Sequence, residues 1–319
     1  MNRIHVELNK FKWVDYTNPD REVLGQIAAE LGLENKVLYN CLDSDYLPHI
    51  ETYADTQFLI LRLMEPESES NADSVQELTT KIAIFVNSTQ IITIHRLPLS
   101  EVDEVGKKIK ETAKEQATQA KIISFFYEQV SLGFNKPLTD LEAKLHNFEE
   151  TLFSRKKSKS FLQEGFYLKR KASAFKKVLK LTLELLSKLI AQANCPAEQF
   201  QQSKDRLERS LFYAEDVFEN IQSLLNLHVA IEAQKTNEAS FRTNEIMRVL
   251  TVLTIFFLPL NFVAGVFGMN FQYIPFLTHP FGFWISIVVM IGVSAILGLY
   301  IFRQGWLGRP KVEKNKQQF

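Results

Sequence analysis

From residue 1 to about 115, apolar and polar positions alternate over short runs, the period of a half-buried strand. Ile4-His5-Val6-Glu7-Leu8 is one such run, and 58–63, 81–86 and 91–95 are others. Between the last two, Asn87-Ser88-Thr89-Gln90 predicts a hairpin turn. Asn18-Pro19-Asp20 predicts a helix N-cap with proline at the first helical position, opening a helix through Leu31. The acidic, serine-rich piece 65–73 predicts a mobile loop. Beyond 118 the period becomes helical and stays so. Helices are expected over 118–132, 138–155 and 160–193, the last stopped by Cys195-Pro196. Only Pro259 and Gly265 interrupt 197–267, which predicts one helix of about 105 Å, too long for a compact domain.

The end of that helix changes character. Residues 249–267 carry no charge, and neither do 281–302. Each run is long enough to cross a hydrocarbon core of about 30 Å. The piece between them, 268–280, is too short for a domain, so the two runs form an antiparallel membrane hairpin. Arg242 and Arg248 precede it, Arg303, Arg309, Lys311, Lys314 and Lys316 follow it, and the connecting loop has no Lys or Arg. By the positive-inside rule both termini are cytoplasmic. Trp284 and Trp306 flank the second span as interfacial anchors. The chain therefore divides into an α/β region (1–117), a helical region (118–196), a cytoplasmic stalk (197–248), a first span (249–267), an external loop (268–280), a second span (281–302) and a basic tail (303–319). The fold class is an α+β, α/β/α sandwich-like cytoplasmic domain, then a long stalk helix and a two-helix transmembrane hairpin, mostly α overall.

Composition narrows the function. The 319 residues hold 37 acids and 37 bases, so net charge favours neither nucleic acid nor an acidic partner. Cys41 and Cys195 give no disulfide framework and suit a reducing compartment. The charged, alternating N-terminus lacks the apolar run of a signal peptide. The six histidines are far apart and no HExxH or GxSxG occurs, which argues against an enzyme. Asp43 and Asp45 read as helix caps. The segment 155–188 holds eleven Lys/Arg against two Glu, either a solvated helix face or a basic collar near the membrane.

One face of the long helix stands out. At alternating spacings of three and four it carries Asn244, Met247, Thr251, Thr254, Leu258, Asn261, Gly265 and Gly268, with Leu250 at its edge. Towards the N-terminus the same stripe continues through Asp216, Glu219, Ser223, Asn226, Ala230, Ala233, Asn237 and Ser240. A dry helix seam would place Leu or Ile there. An amide such as Asn261 is costly against lipid, so the stripe should face a protein interior or a water-filled path.

After the first span comes Gly268-Met269-Asn270, inside TNEIMRVLTVLTIFFLPLNFVAGVFGMNFQYIP and ahead of a second span ending in FRQGWL. That pattern resembles the CorA family of magnesium transporters. Trp13-Val14-Asp15 and PHIETYADTQFLIL (48–61) add weaker likenesses. The resemblance implies a homopentamer in the plasma (inner) membrane, with Gly268, Met269 and Asn270 at the external mouth binding the hydrated ion. It implies a hydrophobic gate at Met247, Leu250 and Leu258, and polar lining at Asn244, Thr251 and Asn261, with Thr254 on the same stripe. Mg²⁺ would be the transported ion and also a regulatory one, with no other cofactor; Asp216 and Glu219 are the stripe acids that could sense it. Three features depart from the family: Phe267 stands where tyrosine is usual, 270–280 contains no acid, and KTNEASF-RTNEIMR repeats over 235–248.

Chemistry supports the same reading. Mg²⁺ dehydrates reluctantly, and amide or hydroxyl oxygens can hold its waters without stripping them. Rings of Met and Leu can close a path by dewetting. With no nucleotide-binding motif, transport is passive, for Mg²⁺ and also Co²⁺ or Ni²⁺. The alternatives are a Zn²⁺-transporting relative, for which His279 and the acid-free loop speak, and a non-conducting membrane-anchored scaffold.

Overall fold

The computed structural model describes residues 3–8, 10–43, 45–69, 71–112, 117–153, 161–192, 195–270 and 279–304. They fall into two compact units, Met1–His228 and Val229–Phe319.

In the first unit, β1 (Arg3–Glu7), β2 (Lys12–Thr17), β3 (His49–Tyr53), β4 (Thr56–Met64), β5 (Thr79–Val86) and β6 (Gln90–His95) form one sheet in the order β1-β2-β6-β5-β4-β3. All neighbours are antiparallel except β2 and β6. The predicted turn joins β5 to β6, where Asn87 Oδ1 accepts the N–H groups of Thr89 and Gln90 at 3.0 and 2.9 Å.

Side-chain alternation sends the strands' apolar residues to two cores. Val14, Tyr16, Ile60, Phe85 and Ile92 pack with α1 (Arg21–Leu31) and α2 (Asn35–Asn40). Trp13, Leu59, Leu61, Ile84 and Ile91 pack with α4 (Ser100–Glu111), α5 (Gln119–Gly133) and the helices beyond it. The short α3 (Val75–Leu78) precedes β5 and carries a capping box of Ser74 and Glu77. Helices therefore cover both faces of the sheet, and one core runs without a break from the α/β region into 118–196.

The first helix starts two residues later than the proline pattern predicts. Asp20, not Asn18, is its N-cap, accepting the Val23 N–H at 2.9 Å. Asn18 instead takes a positive φ of 47° at the end of β2. Gly32 closes the helix at φ 65°, a conformation only glycine adopts without strain. The acidic stretch 65–73, expected to be a loose loop, is fastened at both ends. The Glu65 N–H donates to Leu78 O at 3.0 Å, and Asp73 pairs with Arg170 at 2.5 Å. Asp43 and Asp45 cap no helix; Asp43 Oδ1 accepts the Asp45 N–H in the turn after α2.

The helical region comprises α6 (Asn135–Phe153) and α7 (Phe161–Ile190), followed by a 3₁₀ turn at Ala197–Gln199 and the 67-residue α8 (Gln201–Phe267). Pro137 sits in the first turn of α6, where its missing N–H costs nothing. Gly165 on α7 is a point of close approach, since a Cβ there would lie 2.6 Å from Phe148 Cζ and 2.7 Å from Leu225 Cδ2. Some bases of α7 are engaged rather than merely solvated: Lys176 pairs with Glu215 at 3.3 Å, and Lys169 and Lys176 both lie over the Phe218 ring, while Lys177, Lys180 and Lys188 are exposed. Arg155, Lys156, Lys157 and Lys159 lie outside the described residues.

The second unit holds the rest of α8 and α9 (Gly282–Arg303), both long and apolar enough to cross a membrane. Pro259 lies within α8. Most of the loop between them, 271–278, and the tail from 305, with Trp306, Arg309, Lys311, Lys314 and Lys316, lie outside the described residues.

Candidate functional site

The polar stripe belongs wholly to α8, and the packing on either side of it defines its orientation. In the first unit α8 buries Ser203, Leu207, Ser210, Ala214, Val217, Ile221 and Leu225. These share one heptad seam against the helical core. Asp216, Glu219, Ser223 and Asn226 fall on the opposite side of the helix and are exposed.

Within the apolar span, 249–267, the half-buried positions of α8 are Val252, Ile255, Phe256, Pro259, Leu260 and Val263. Phe256 lies against α9, where a Cβ on Gly298 would meet its ring at 3.5 Å. The half-buried positions of α9 are Ser286, Ile287, Met290, Val293, Ser294, Leu297 and Gly298, three of them small enough for close helix approach. Thr251, Thr254, Leu258, Asn261 and Gly265 again fall opposite, and all are exposed. So in each unit considered alone, the stripe lies within the surface of α8 that the rest of the unit leaves uncovered.

The hydroxyl groups on that face are set for one role. Thr251 Oγ1 donates to Met247 O and Thr254 Oγ1 donates to Leu250 O, each at 2.8 Å. With their protons spent on the helix backbone, both present lone pairs outward. The waters of a hydrated cation point their hydrogens away from the metal, so they need acceptors around them. Asn244 and Asn261 add amide oxygens on the same exposed face. Met247, Leu250 and Leu258 are 57%, 56% and 69% exposed, large apolar side chains with nothing of their own chain to cover them. Residues of that kind seek a partner or a lipid surface.

The stripe ends in a tight turn. Gly268 N–H donates to Ala264 O at 3.0 Å and Met269 N–H to Val266 O at 3.3 Å, closing α8. A Cβ on Gly268 would stand 3.2 Å from the Ala264 carbonyl, a close approach that glycine relieves. Met269 and Asn270 follow, both exposed. Asn270 does not take a left-handed conformation; among the described residues positive φ occurs only at Asn18, Ala54 and Gly32.

His279, across the loop, belongs to the start of α9. Its Nδ1 accepts the Phe281 N–H at 3.3 Å and its carbonyl accepts the Gly282 N–H at 2.9 Å. Within the part of the stripe that belongs to the first unit, Asp216 Oδ2 accepts from the Asn220 amide at 3.1 Å. Among the described residues no three His, Cys, Asp or Glu side chains of one chain gather to hold a metal, so Asp216 and Glu219 do not make a site within one chain.

Sequence reasoning missed a buried polar cluster below the sheet. Asp15 on β2 accepts from Thr93 Oγ1 at 2.5 Å and from His95 Nε2 at 3.0 Å, and Trp13 Nε1 donates to the same threonine at 3.1 Å. His95 Nδ1 faces Leu97 O at 2.5 Å. Both ring nitrogens therefore face acceptors, which only imidazolium satisfies. Burial opposes that charge, but the hydrogen bond and the carboxylate of Asp15 outweigh it and raise the His95 pKa. The signal was the Trp13-Val14-Asp15 run, whose acid stands where a strand interior would be apolar.

Comparison with known proteins completes the picture. The profile of the family described as CorA-like Mg2+ transporter protein matches residues 9–304. The cobalt/magnesium transport protein CorA of Methanocaldococcus jannaschii is 23% identical over 96% of this chain and 95% of its own. The protein of the same name from Thermotoga maritima is 24% identical over 92% of this chain and 83% of its own. Among solved structures, the complete CorA magnesium transporter from Methanocaldococcus jannaschii aligns over 96% of this chain and 95% of its own, with a TM-score of 0.62 at 20% identity. Full-length CmaX aligns over 94% of this chain and 90% of its own, with a TM-score of 0.60 at 20% identity. The chain belongs to the CorA-like Mg2+ transporter family, whose members are membrane proteins that move divalent cations and are not enzymes.

Proposed function

We propose that this chain is one subunit of a homopentameric, passive Mg²⁺ channel in the plasma (inner) membrane, with its stripe lining the ion path. The observation that carries the reading is that acceptor groups and large apolar side chains alternate along an exposed face of α8 that lies opposite its covered side in each unit. Copies arranged around an axis give that face a partner. Asn270 meets the hydrated ion at the outer mouth; Asn244, Thr251, Thr254 and Asn261 hold its waters in transit. Met247, Leu250 and Leu258 close the path when the rings approach and water leaves. Co²⁺ and Ni²⁺, which also travel with a bound water shell, share the route. A zinc path finds less support, because the one loop histidine already accepts a backbone hydrogen bond through Nδ1.

Purified protein in liposomes tests this. Mg²⁺ influx should appear without ATP and exceed Zn²⁺ influx; no flux of any divalent ion would favour a scaffold, and dominant Zn²⁺ flux the zinc reading. In cells, His279→Cys should react with an impermeant thiol reagent from outside and Gln304→Cys only after permeabilisation. The reverse pattern would overturn the orientation.

Asp216 and Glu219, brought together across copies, would let internal Mg²⁺ hold the path closed. Replacing them as Asp216→Asn and Glu219→Gln together should weaken inhibition of flux by internal Mg²⁺ several-fold. Unchanged inhibition would remove them from the gating mechanism.

A further inference from the structure

A groove of about 440 Å³ lies in the first unit between the start of α6 and the flank of α8. Its polar lining on α8 is Arg206, Arg209, Ser210 and Tyr213; on α6 it is Asn135 and Glu142, with Thr139 between them. Leu138 and Val217, both buried, are its apolar lining.

One of these groups is unsatisfied. Arg206 Nη1 is buried and has no hydrogen-bond partner among the described residues. Ser210, one helical turn on, is only 5% exposed and lines the same groove. A buried guanidinium nitrogen without an acceptor is costly. The lining supplies little to quiet it. Thr139 spends its proton on Asn135 O at 3.1 Å, and the single carboxylate, Glu142, forms no ion pair with either arginine among the described residues. Asn135 is moreover the first residue of α6, at the positive end of a 19-residue helix.

Two guanidiniums, a buried hydroxyl, a primary amide and a helix N-terminus on one groove are the donor set of an oxyanion site. We propose that the groove binds a small phosphate-bearing anion, either free phosphate or a phosphomonoester, with Arg206 and Ser210 as the buried donors and Arg209 at the rim. The volume lies in the range of small-molecule sites. A carboxylate from another copy is the competing occupant. On α8, Arg206, Ser210 and Val217 lie roughly 120–160° around the helix from the stripe, whereas Arg209, two turns before Asp216, lies at its edge. The assignment does not depend on which ion the protein conducts.

Equilibrium dialysis of the full-length protein in detergent, without divalent ions and at fixed ionic strength, tests it with inorganic phosphate and with adenosine monophosphate. Saturable binding near one per subunit by either probe is expected, and the tighter of the two identifies the source. Arg206→Gln should weaken it about tenfold or more. Ser210→Ala and Arg209→Gln should weaken it less, and they carry the test should Arg206→Gln fail to fold. No binding of either probe, or binding that all three variants leave unchanged, would overturn the site. Absent binding together with a changed oligomeric state in Arg206→Gln would assign the groove to a neighbouring chain's carboxylate instead.

Discussion

Asn270→Ala should reduce divalent-cation uptake by more than about tenfold while expression and assembly stay as in the parent. The residue follows directly on the turn that ends α8, exposed, at the head of the uncovered stripe. From Asn270 to Pro280 the sequence contains no carboxylate to replace an amide oxygen lost there. Residues 271–278 lie outside the described structure, but their composition alone makes that point. The conformation of Asn270 sharpens the test. Since it has no positive φ, glycine would relieve no strain, and Asn270→Gly should lose uptake as Asn270→Ala does. Parent-like flux through the glycine variant would mean that the side chain is dispensable. Asn270→Asp should behave differently, its added charge raising affinity for the cation and slowing release.

His95→Ala should cost roughly 3–5 kcal/mol of unfolding free energy, because it leaves the Asp15 carboxylate buried without its cation. Exchanging both partners, Asp15→Asn with His95→Gln, should recover part of the loss. The pair also sets a pH dependence. The folded-state pKa of His95 is raised above its ordinary value, so its contribution is fully present below the unfolded pKa and is lost as pH rises through the folded one. Denaturant unfolding of the full chain in detergent, followed from slightly acidic to alkaline pH, should show stability falling above the usual imidazole range. The same fall in His95→Gln would assign it to other groups.

How much could be seen in the sequence depends on what each element buries. The long helices were legible because helix breakers are so rare between 160 and 267; for α7 and α8 the expected and observed ends differ by a few residues. The two apolar spans were legible for a similar reason, as length without charge leaves few alternatives. β2 was not, because Lys12 and Asp15 break its alternation, and Asp15 is tolerated only through partners 78 and 80 residues away. β3, the edge strand His49–Tyr53, is half exposed and carries mixed polarity. α4 escaped notice even though Val102, Val105 and Ile109 recur with helical spacing, since the surrounding strand pattern dominated that region. The cap at Asp20 was misplaced because proline was set inside the helix rather than before its cap.

The candidate site divides in the same way. The stripe is a spacing pattern and can be counted from residues alone. That it lies opposite both the buried seam of the first unit and the α9-facing side of the second is a fact of packing, which spacing could not supply. Arg206 was invisible. In sequence it is one more base on a polar helix, and only the groove beside it shows that its Nη1 is buried without an acceptor.

The central claim is that the Asn261 face of α8, not the face toward α9, borders the ion path. The direct measurement is block of Mg²⁺ flux in liposomes by a water-soluble thiol reagent, in a background with Cys41 and Cys195 replaced by alanine. Asn261→Cys should react and lose most of its flux, while Val263→Cys, on the half-buried face, should stay open. Block at Val263→Cys with Asn261→Cys untouched would place the path on the other side of the helix and contradict the account.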